Sequence, residues 1–499
     1  MAVSFNNIPS NIRVPLFYAE VDNSAAGSFQ QNYRALVIGQ KLAAGTATAD
    51  EPVIVPGSDA AKTLFGQGSI LDRMVSAWRA NDVFTELWAI PVVDDGSAAA
   101  AAGSIAFTGP ATANGTLYIY IAGQRVAVGV TSSAIATAIA TAVAAAINAA
   151  ADLPVTAAVD GSDLFQVNLT ARNKGTLGNG IDVRMNYRGS VSGEATPAGV
   201  GVTITAMSTG ATDPDLADAI AAMGDMQFDY IVIPFSDGTN LDLFRTLMND
   251  STGRWSYAKQ LYGHVFTAKR GTFSALDTFG DGRNDQHVTA FGYTSGSPTP
   301  VWEAASMFAA QAGSHLSIDP ARPLQTLPLI GFLPPPKSGE FTLTENNTLL
   351  YSGVATVYYE GGYARIQRAV TTYQENEWGQ ADPSYLDVET LATLSYVLRF
   401  LKGRITQKFP RHKLANDGTR FGAGQAIATP GTIRAELIAA YSEMESNGIV
   451  ENMAAFKENL IVERNADDPS RVDVVYPPDL VNGLRIFALL AQFRLQYAA

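Results

Sequence analysis

Four histidines, several glycine-rich turns and one regular row of aspartates are the residues of this 499-residue chain whose types could do chemistry. His264, His287, His315 and His412 lie far apart, with no i, i+4 pair and no His-Glu-x-x-His run, so they make no zinc-hydrolase motif. His264 and His287 fall in predicted buried strands, where a satisfied core imidazole is the ordinary outcome. Gly39-Gln-Lys-Leu-Ala-Ala-Gly45-Thr loosely resembles a phosphate-binding loop, but its lysine precedes the second glycine and would not reach a terminal phosphate. Gly66-Gln-Gly68-Ser-Ile-Leu lacks the third glycine of a dinucleotide turn and reads as a helix-terminating turn. Asp277, Asp281 and Asp285 recur every four residues, yet Gly280 and Gly282 make this a turn without the alternating oxygens of a calcium loop. In Gly292-Tyr-Thr-Ser-Gly the serine comes one place too late for a nucleophile elbow. There is no cysteine, hence no disulfide framework, thiolate nucleophile or zinc–thiolate site. Paired carboxylates stay open on sequence alone. No catalytic, cofactor-binding or metal-binding residue is assigned.

The composition points elsewhere. The length suggests about three domains. The formal charge is −13, with 47% hydrophobic and only 16% charged residues, which excludes a disordered chain and disfavours a nucleic-acid binder. So few charges on a large soluble protein suggest that much of its surface lies against other chains. The first residues show neither the cationic nor the apolar region of a secretory leader. The Ala-rich stretch 134–151 carries only Ile135, Ile139, Val143 and Ile147 as a narrow apolar stripe, so it reads as a packed amphipathic helix rather than a membrane span.

Residues 1–28 read as an extended arm: Ile12, Val14, Leu16 and Phe17 are apolar, and Pro9 and Pro15 block a helix. A β-α-β pattern follows, with Arg34-Ala-Leu-Val-Ile-Gly and Glu86-Leu-Trp-Ala-Ile-Pro-Val-Val as continuous apolar strands suited to a parallel sheet covered on both faces. The pattern breaks at Asp94 and resumes near Asp213, so 97–210 is expected to be a β-rich domain inserted into an α/β domain made of 29–96 and 211–318. Six prolines between Asp319 and Pro336 predict a linker over 319–340. An α+β domain is expected over 341–483, including a hairpin from Val354, and 484–499 would be a terminal arm strand. The expected fold class is thus a multidomain α/β and α+β chain with extended terminal arms.

Two features concern interfaces. No acidic residue lies between Glu389 and Asp417, while Arg399, Lys402, Arg404, Lys408, Arg411 and Lys413 fall there within fifteen positions. Leu391, Leu394, Leu398, Leu401 and Ile405 step by 3, 4, 3 and 4 along one predicted helix face, so Arg399, Arg404 and Lys408 are expected to project away from it, with Lys402 at its flank. Either this is an ordinary solvated face or it docks an acidic partner. At the end of the chain, Phe487, Leu489, Ala491, Phe493, Leu495 and Tyr497 alternate with polar residues, as one apolar face of a strand. That strand either closes its own domain's sheet or is donated to a neighbouring copy.

Several long runs carry a family resemblance: Asp319-Pro-Ala-Arg-Pro-Leu-Gln-Thr-Leu-Pro-Leu, Glu345-Asn-Asn-Thr-Leu-Leu-Tyr-Ser-Gly-Val-Ala-Thr, Arg365-Ile-Gln-Arg-Ala-Val-Thr-Thr-Tyr, Ser384-Tyr-Leu-Asp-Val-Glu-Thr-Leu-Ala-Thr-Leu-Ser-Tyr and Ile405-Thr-Gln-Lys-Phe-Pro-Arg-His-Lys-Leu. On these, the chain resembles the contractile tail sheath proteins of Mu-like bacteriophages. The resemblance implies a structural virion component without enzymatic activity or cofactor, assembled in the host cytoplasm. Its partners would be further copies of itself in six-fold rings, the tail tube protein, the baseplate and the tail terminator, with no nucleic acid and no membrane. The sheath would assemble extended and contract on a baseplate trigger, driving the tube through the host envelope. The basic segment would then face the tube, the terminal strand would join a neighbour's sheet beside an incoming N-terminal arm, the inserted domain would face outward, and 23–28 and 479–483 would be hinges. A nucleotide-using α/β enzyme and another self-assembling virion component are the competing readings; the long α/β segment with its insertion argues against a small tube subunit.

Overall fold

The computed structural model describes residues 32–422 and 424–495. The chain begins with β1 (Arg34–Gln40), β2 (Val53–Ile54), α1 (Ser58–Phe65), α2 (Ile70–Asn81) and β3 (Glu86–Val92). Ala35, Leu36, Val37 and Ile38 of β1 are fully buried, as a strand covered on both faces requires. There follow β4 (Ala102–Thr108), β5 (Gly115–Ile121), β6 (Gln124–Val130), α3 (Ala136–Ala149), β7 (Val155–Val159), β8 (Gln166–Ala171), β9 (Val183–Met185) and β10 (Gly201–Ser208). They form two antiparallel sheets, ordered β10-β4-β8-β7 and β6-β5-β9. The tight β5–β6 turn has positive φ at both Ala122 and Gly123, the geometry of a two-residue hairpin loop that matches strand twist. In α3, Ile139, Val143 and Ile147 are buried, whereas Ile135 precedes the helix as its N-cap residue and is exposed. Among the described residues no helix is long and apolar enough to cross a membrane.

The α/β rhythm returns with α4 (Ala217–Ala222), β11 (Tyr230–Val232), α5 (Gly238–Met248), β12 (His264–Gly271), α6 (Phe273–Asp281), β13 (Val288–Thr294) and α7 (Val301–Leu316). Next come α8 (Leu343–Tyr351), opened by a reciprocal Thr342–Glu345 capping box, and the hairpin β14 (Val354–Glu360) with β15 (Tyr363–Arg368). One eight-stranded sheet gathers these strands in the order β15-β14-β13-β12-β11-β1-β3-β2. Its six inner strands are parallel, and β2 and β15 run antiparallel at the edges.

The hairpin from Val354 was expected beyond a proline-rich linker, and the pairing corrects this. Ala290 and Phe291 of β13 register with Val354 and Ala355 of β14, so the hairpin extends the large sheet. The physical reason is burial: Val354, Ala355, Thr356 and Val357 are all buried and need cover on both faces. Nor is 319–340 a free linker. Leu324, Leu329 and Phe332 are buried, while Thr326 and Leu329 N–H groups donate to Ile366 and Ala364 carbonyls, so this segment covers the β15 edge.

The last part holds α9 (Val388–Lys408), the short pair β16 (Lys413–Leu414) and β17 (Ile427–Ala428), α10 (Pro430–Ser446), α11 (Met453–Asn459), and the two-stranded sheet of β18 (Ile461–Arg464) with β19 (Val472–Val475). A separate core joins Val397 and Phe400 of α9 to Leu437, Tyr441, Met444 and Phe456. The rings of Tyr441 and Phe456 stack with centroids 3.7 Å apart.

Candidate assembly surfaces

A parallel sheet offers ligands the crevice at the carboxyl ends of its strands, where neighbouring crossovers diverge. Here that place lies between β1 and its neighbours, and the loop that follows β8 fills it. Gln40 Nε2 donates to Asp94 Oδ1 (2.6 Å) and to the Lys174 carbonyl (2.8 Å). Asn173 Nδ2 donates to the same Asp94 oxygen (3.1 Å) and to the Lys41 carbonyl (3.0 Å), and Lys174 N–H donates to Asp94 Oδ2 (2.9 Å). Asn173 Oδ1 also accepts the Ile70 N–H at the start of α2 (3.0 Å), the amide an anionic ligand would use. Lys41 turns back onto the carbonyls of Gly45 and Ala47. Gly66 ends α1 at φ +84°, as a helix-terminating glycine does.

The remaining candidates do not converge. His264 Nε2 lies 2.8 Å from Thr289 Oγ1, and His287 Nε2 lies 3.1 Å from Asp250 Oδ1. Burial holds the His264 imidazole well below its ordinary value. Asp277 accepts the Ser352 hydroxyl, whereas Asp285 accepts the His287 N–H, so the aspartate row is split between separate partners.

The basic segment is acid-free in sequence but not in space. Arg399 was expected to project outward; instead its Nη1 lies 2.5 Å from Asp229 Oδ1, and the two side chains are 12% and 4% exposed. Its Nη2 donates to the Tyr262 carbonyl (2.5 Å). Arg404 pairs with Glu436 (2.6 Å) and Glu443 (2.5 Å), and Lys408 pairs with Glu436. Burial alone would raise the Glu436 carboxyl, but hydrogen bonds from Lys408 and Arg404 outweigh it and hold the group low. The cause is the phase of α9. Val397 and Phe400, rather than Leu394 and Leu398, are buried toward α10, while Val388, Leu391, Ala392, Ser395 and Arg399 line a cavity against Tyr33, Asp229 and Tyr230. A helix packed on two sides leaves Arg399 facing the large sheet. Lys402, Arg411 and Lys413 remain exposed. The signal missed was the Glu436–Glu443 pair, two turns apart on α10 and matched to Arg404 and Lys408 one turn apart on α9.

The C-terminal tail is fixed at its root. Val481 N–H donates to the Ile449 carbonyl (3.1 Å), and Gln325 Nε2 donates to the Leu484 carbonyl (3.1 Å). Arg485 Nη2 lies 3.0 Å from Glu389 Oε2 and 3.4 Å from Asp387 Oδ1. Burial raises the Glu389 carboxyl against the pull of Arg485. Beyond Arg485 the described residues form no strand, which corrects the reading of a final strand within the chain's own sheet. Phe487, Leu489, Phe493 and Leu495 stand between 77% and 97% exposed, and Ile486 and Leu490 are exposed with them, so the apolar character is not confined to one face. Ala491 is exposed too. Tyr497 lies outside the described residues, as do Ile12, Val14, Leu16 and Phe17. The β18–β19 hairpin pairs with no other described strand, and its Ile461 (51%), Val474 and Val475 (56%) are exposed.

Residues 209–372 match the central domain of phage tail sheath proteins, and 380–494 match the phage tail sheath C-terminal domain. A Mu-like prophage FluMu tail sheath protein from Haemophilus influenzae is 46% identical over 496 residues, covering 99% of this chain and 100% of that one. Among solved structures, the sheath tail protein of Desulfitobacterium hafniense aligns with TM-score 0.49 at 12% identity, covering 94% of this chain and 97% of that one. The sheath tail protein of Listeria innocua aligns with TM-score 0.46 at 10% identity, with 91% and 93% covered. With two family domains over most of its second half and a full-length relative at this identity, the chain belongs to the phage tail sheath family, whose members are structural components of the virion tail and not enzymes.

Proposed function

We propose that this chain polymerises around a tail tube as a helical sheath of six-fold rings, in an extended metastable state, and contracts to drive the tube through the host envelope. The observation that carries the reading is the C-terminal tail: bolted at Arg485, it offers Phe487, Leu489, Phe493 and Leu495 to nothing in its own described chain. Such an extended apolar segment is a donor for sheet augmentation, and the open β18–β19 hairpin is an acceptor of matching kind. The N-terminal arm, with Ile12, Val14, Leu16 and Phe17, joins the same sheet from another copy. Turn-rich 23–28 serves as a hinge; 479–483, the other turn-rich candidate, is pinned by Asp479 and Val481 on the 449–452 segment, so the tail swings only beyond Arg485. Contraction without a nucleotide needs an energy difference already present in the lattice, so each subunit moves as a largely rigid body on its arms.

Exposed Lys402, Arg411 and Lys413 form the tube-facing set; Arg399, Arg404 and Lys408 are taken up within the chain. Weak, screened contacts of about 0–1 kcal/mol each suit a sheath that must release its tube. The insertion faces outward, the baseplate triggers contraction, the terminator caps the far end, and assembly takes place in the host cytoplasm. Removing the chain after Leu484 tests the reading. The truncated protein is expected to fold as a soluble subunit and to form no cylinders in negative-stain microscopy, whereas normal sheath tubes from it would overturn strand donation.

A further inference from the structure

Helix α9 holds a buried ion pair at each end of a stretch of three turns. Its N-cap Asp387 accepts Arg368 through two bonds of 2.8 and 2.9 Å, and together with Glu389 it holds Arg485, where the C-terminal tail departs. Further along the helix, roughly 15 Å on at 1.5 Å per residue, Arg399 reaches Asp229. That aspartate is not an isolated counter-ion. Its Oδ2 accepts the Arg34 N–H (2.7 Å) at the first residue of β1, and its own N–H donates to the Arg34 carbonyl (2.8 Å). Tyr33 stacks on Tyr230 with ring centroids 6.0 Å apart and lines one cavity with Leu391, Ala392, Ser395 and Arg399 of α9. The place where the N-terminal segment enters the sheet is therefore fastened to α9, and so is the place where the C-terminal tail leaves.

We propose that α9 is a strut coupling the roots of the two terminal segments, with Asp229, Arg399, Glu389 and Arg485 as its positioning residues. The inference rests on the reading that both ends join neighbouring subunits: load arriving at one end passes to the other along a single helix instead of through the eight-stranded sheet. Buried pairs suit this task, because removing one partner leaves an uncompensated charge and the joint does not slip as an exposed pair does.

The test is hydrogen exchange on the purified, unassembled full-length subunit, so that it succeeds or fails independently of polymerisation. Arg399→Met is expected to speed exchange about tenfold at the start of β1 and also at Val481 and its neighbours in the tail root. Arg485→Met is expected to produce the reciprocal change at Arg34, with the β18–β19 amides unmoved by either. Arg399→Lys, which keeps the charge but loses the forked geometry, should show the same pattern at smaller size and serves if the methionine variant does not fold. Loosening confined to the substituted side, in both directions, would overturn the strut.

Discussion

At the residue scale, the chemistry-bearing side chains serve packing, and His264 shows this in a measurable way. It begins β12, bonds Thr289 and meets the edge of the Phe266 ring. Burial depresses its affinity for a proton, so the unfolded chain takes up that proton more readily than the folded one. The stability this group supports is present above its unfolded value of about 6.5 and is lost progressively as pH falls below it. Urea unfolding followed by far-UV circular dichroism is expected to shift to lower denaturant between pH 7 and pH 5, and His264→Gln is expected to flatten that slope by up to about 1.4 kcal/mol per pH unit. Equal slopes in the two proteins would remove His264 from the account. The histidine's burial was legible in sequence, because it opens an apolar run. The fate of Arg399 was not, because its partner lies 170 positions upstream in another element.

At the element scale, the continuous apolar strands announced themselves: β1, β3, β12 and β13 stand where apolar runs predict them. Two elements misled. The leucine stripe of α9 implied one buried face, but the helix is packed from two sides and its buried set is rotated to Val397 and Phe400. The hairpin β14–β15 lay beyond six prolines, yet strand pairing ignores such punctuation when an apolar run needs a covered sheet. Among the described residues the apolar run of the tail pairs with no strand, although its sequence alternates as a strand does. If β18–β19 receives it, Ile461→Lys with Val475→Lys, both already exposed, should leave subunit thermal stability within about 0.5 kcal/mol of wild type and abolish cylinders. Cylinders of normal length would direct attention to another acceptor.

At the scale of the whole molecule, the low charge density acquires a distribution. Asp229 together with Glu436 and Glu443 of α10 neutralises half of the basic run, which leaves Lys402, Arg411 and Lys413 as a smaller positive surface on a −13 chain. Replacing these three by Glu is expected to impair assembly on tubes at low salt while sheath-only polymerisation continues; unchanged tube binding would refute the assignment. The insertion also reads differently at this scale. Its ends meet at a two-bond neck between Ala99 and Ala211. Yet Asn173 and Lys174, in the loop after β8, reach back to occupy Asp94, Gln40 and the α2 amide. A replacement grafted at the neck for display of a foreign domain would therefore need its own Asn-Lys plug, or it would open a polar, solvent-filled notch at the heart of the sheet. The plug, with the bonds from Arg184 to the Gly296 carbonyl and from Tyr187 to the Pro334 carbonyl, ties the inner rim of this segment to the scaffold.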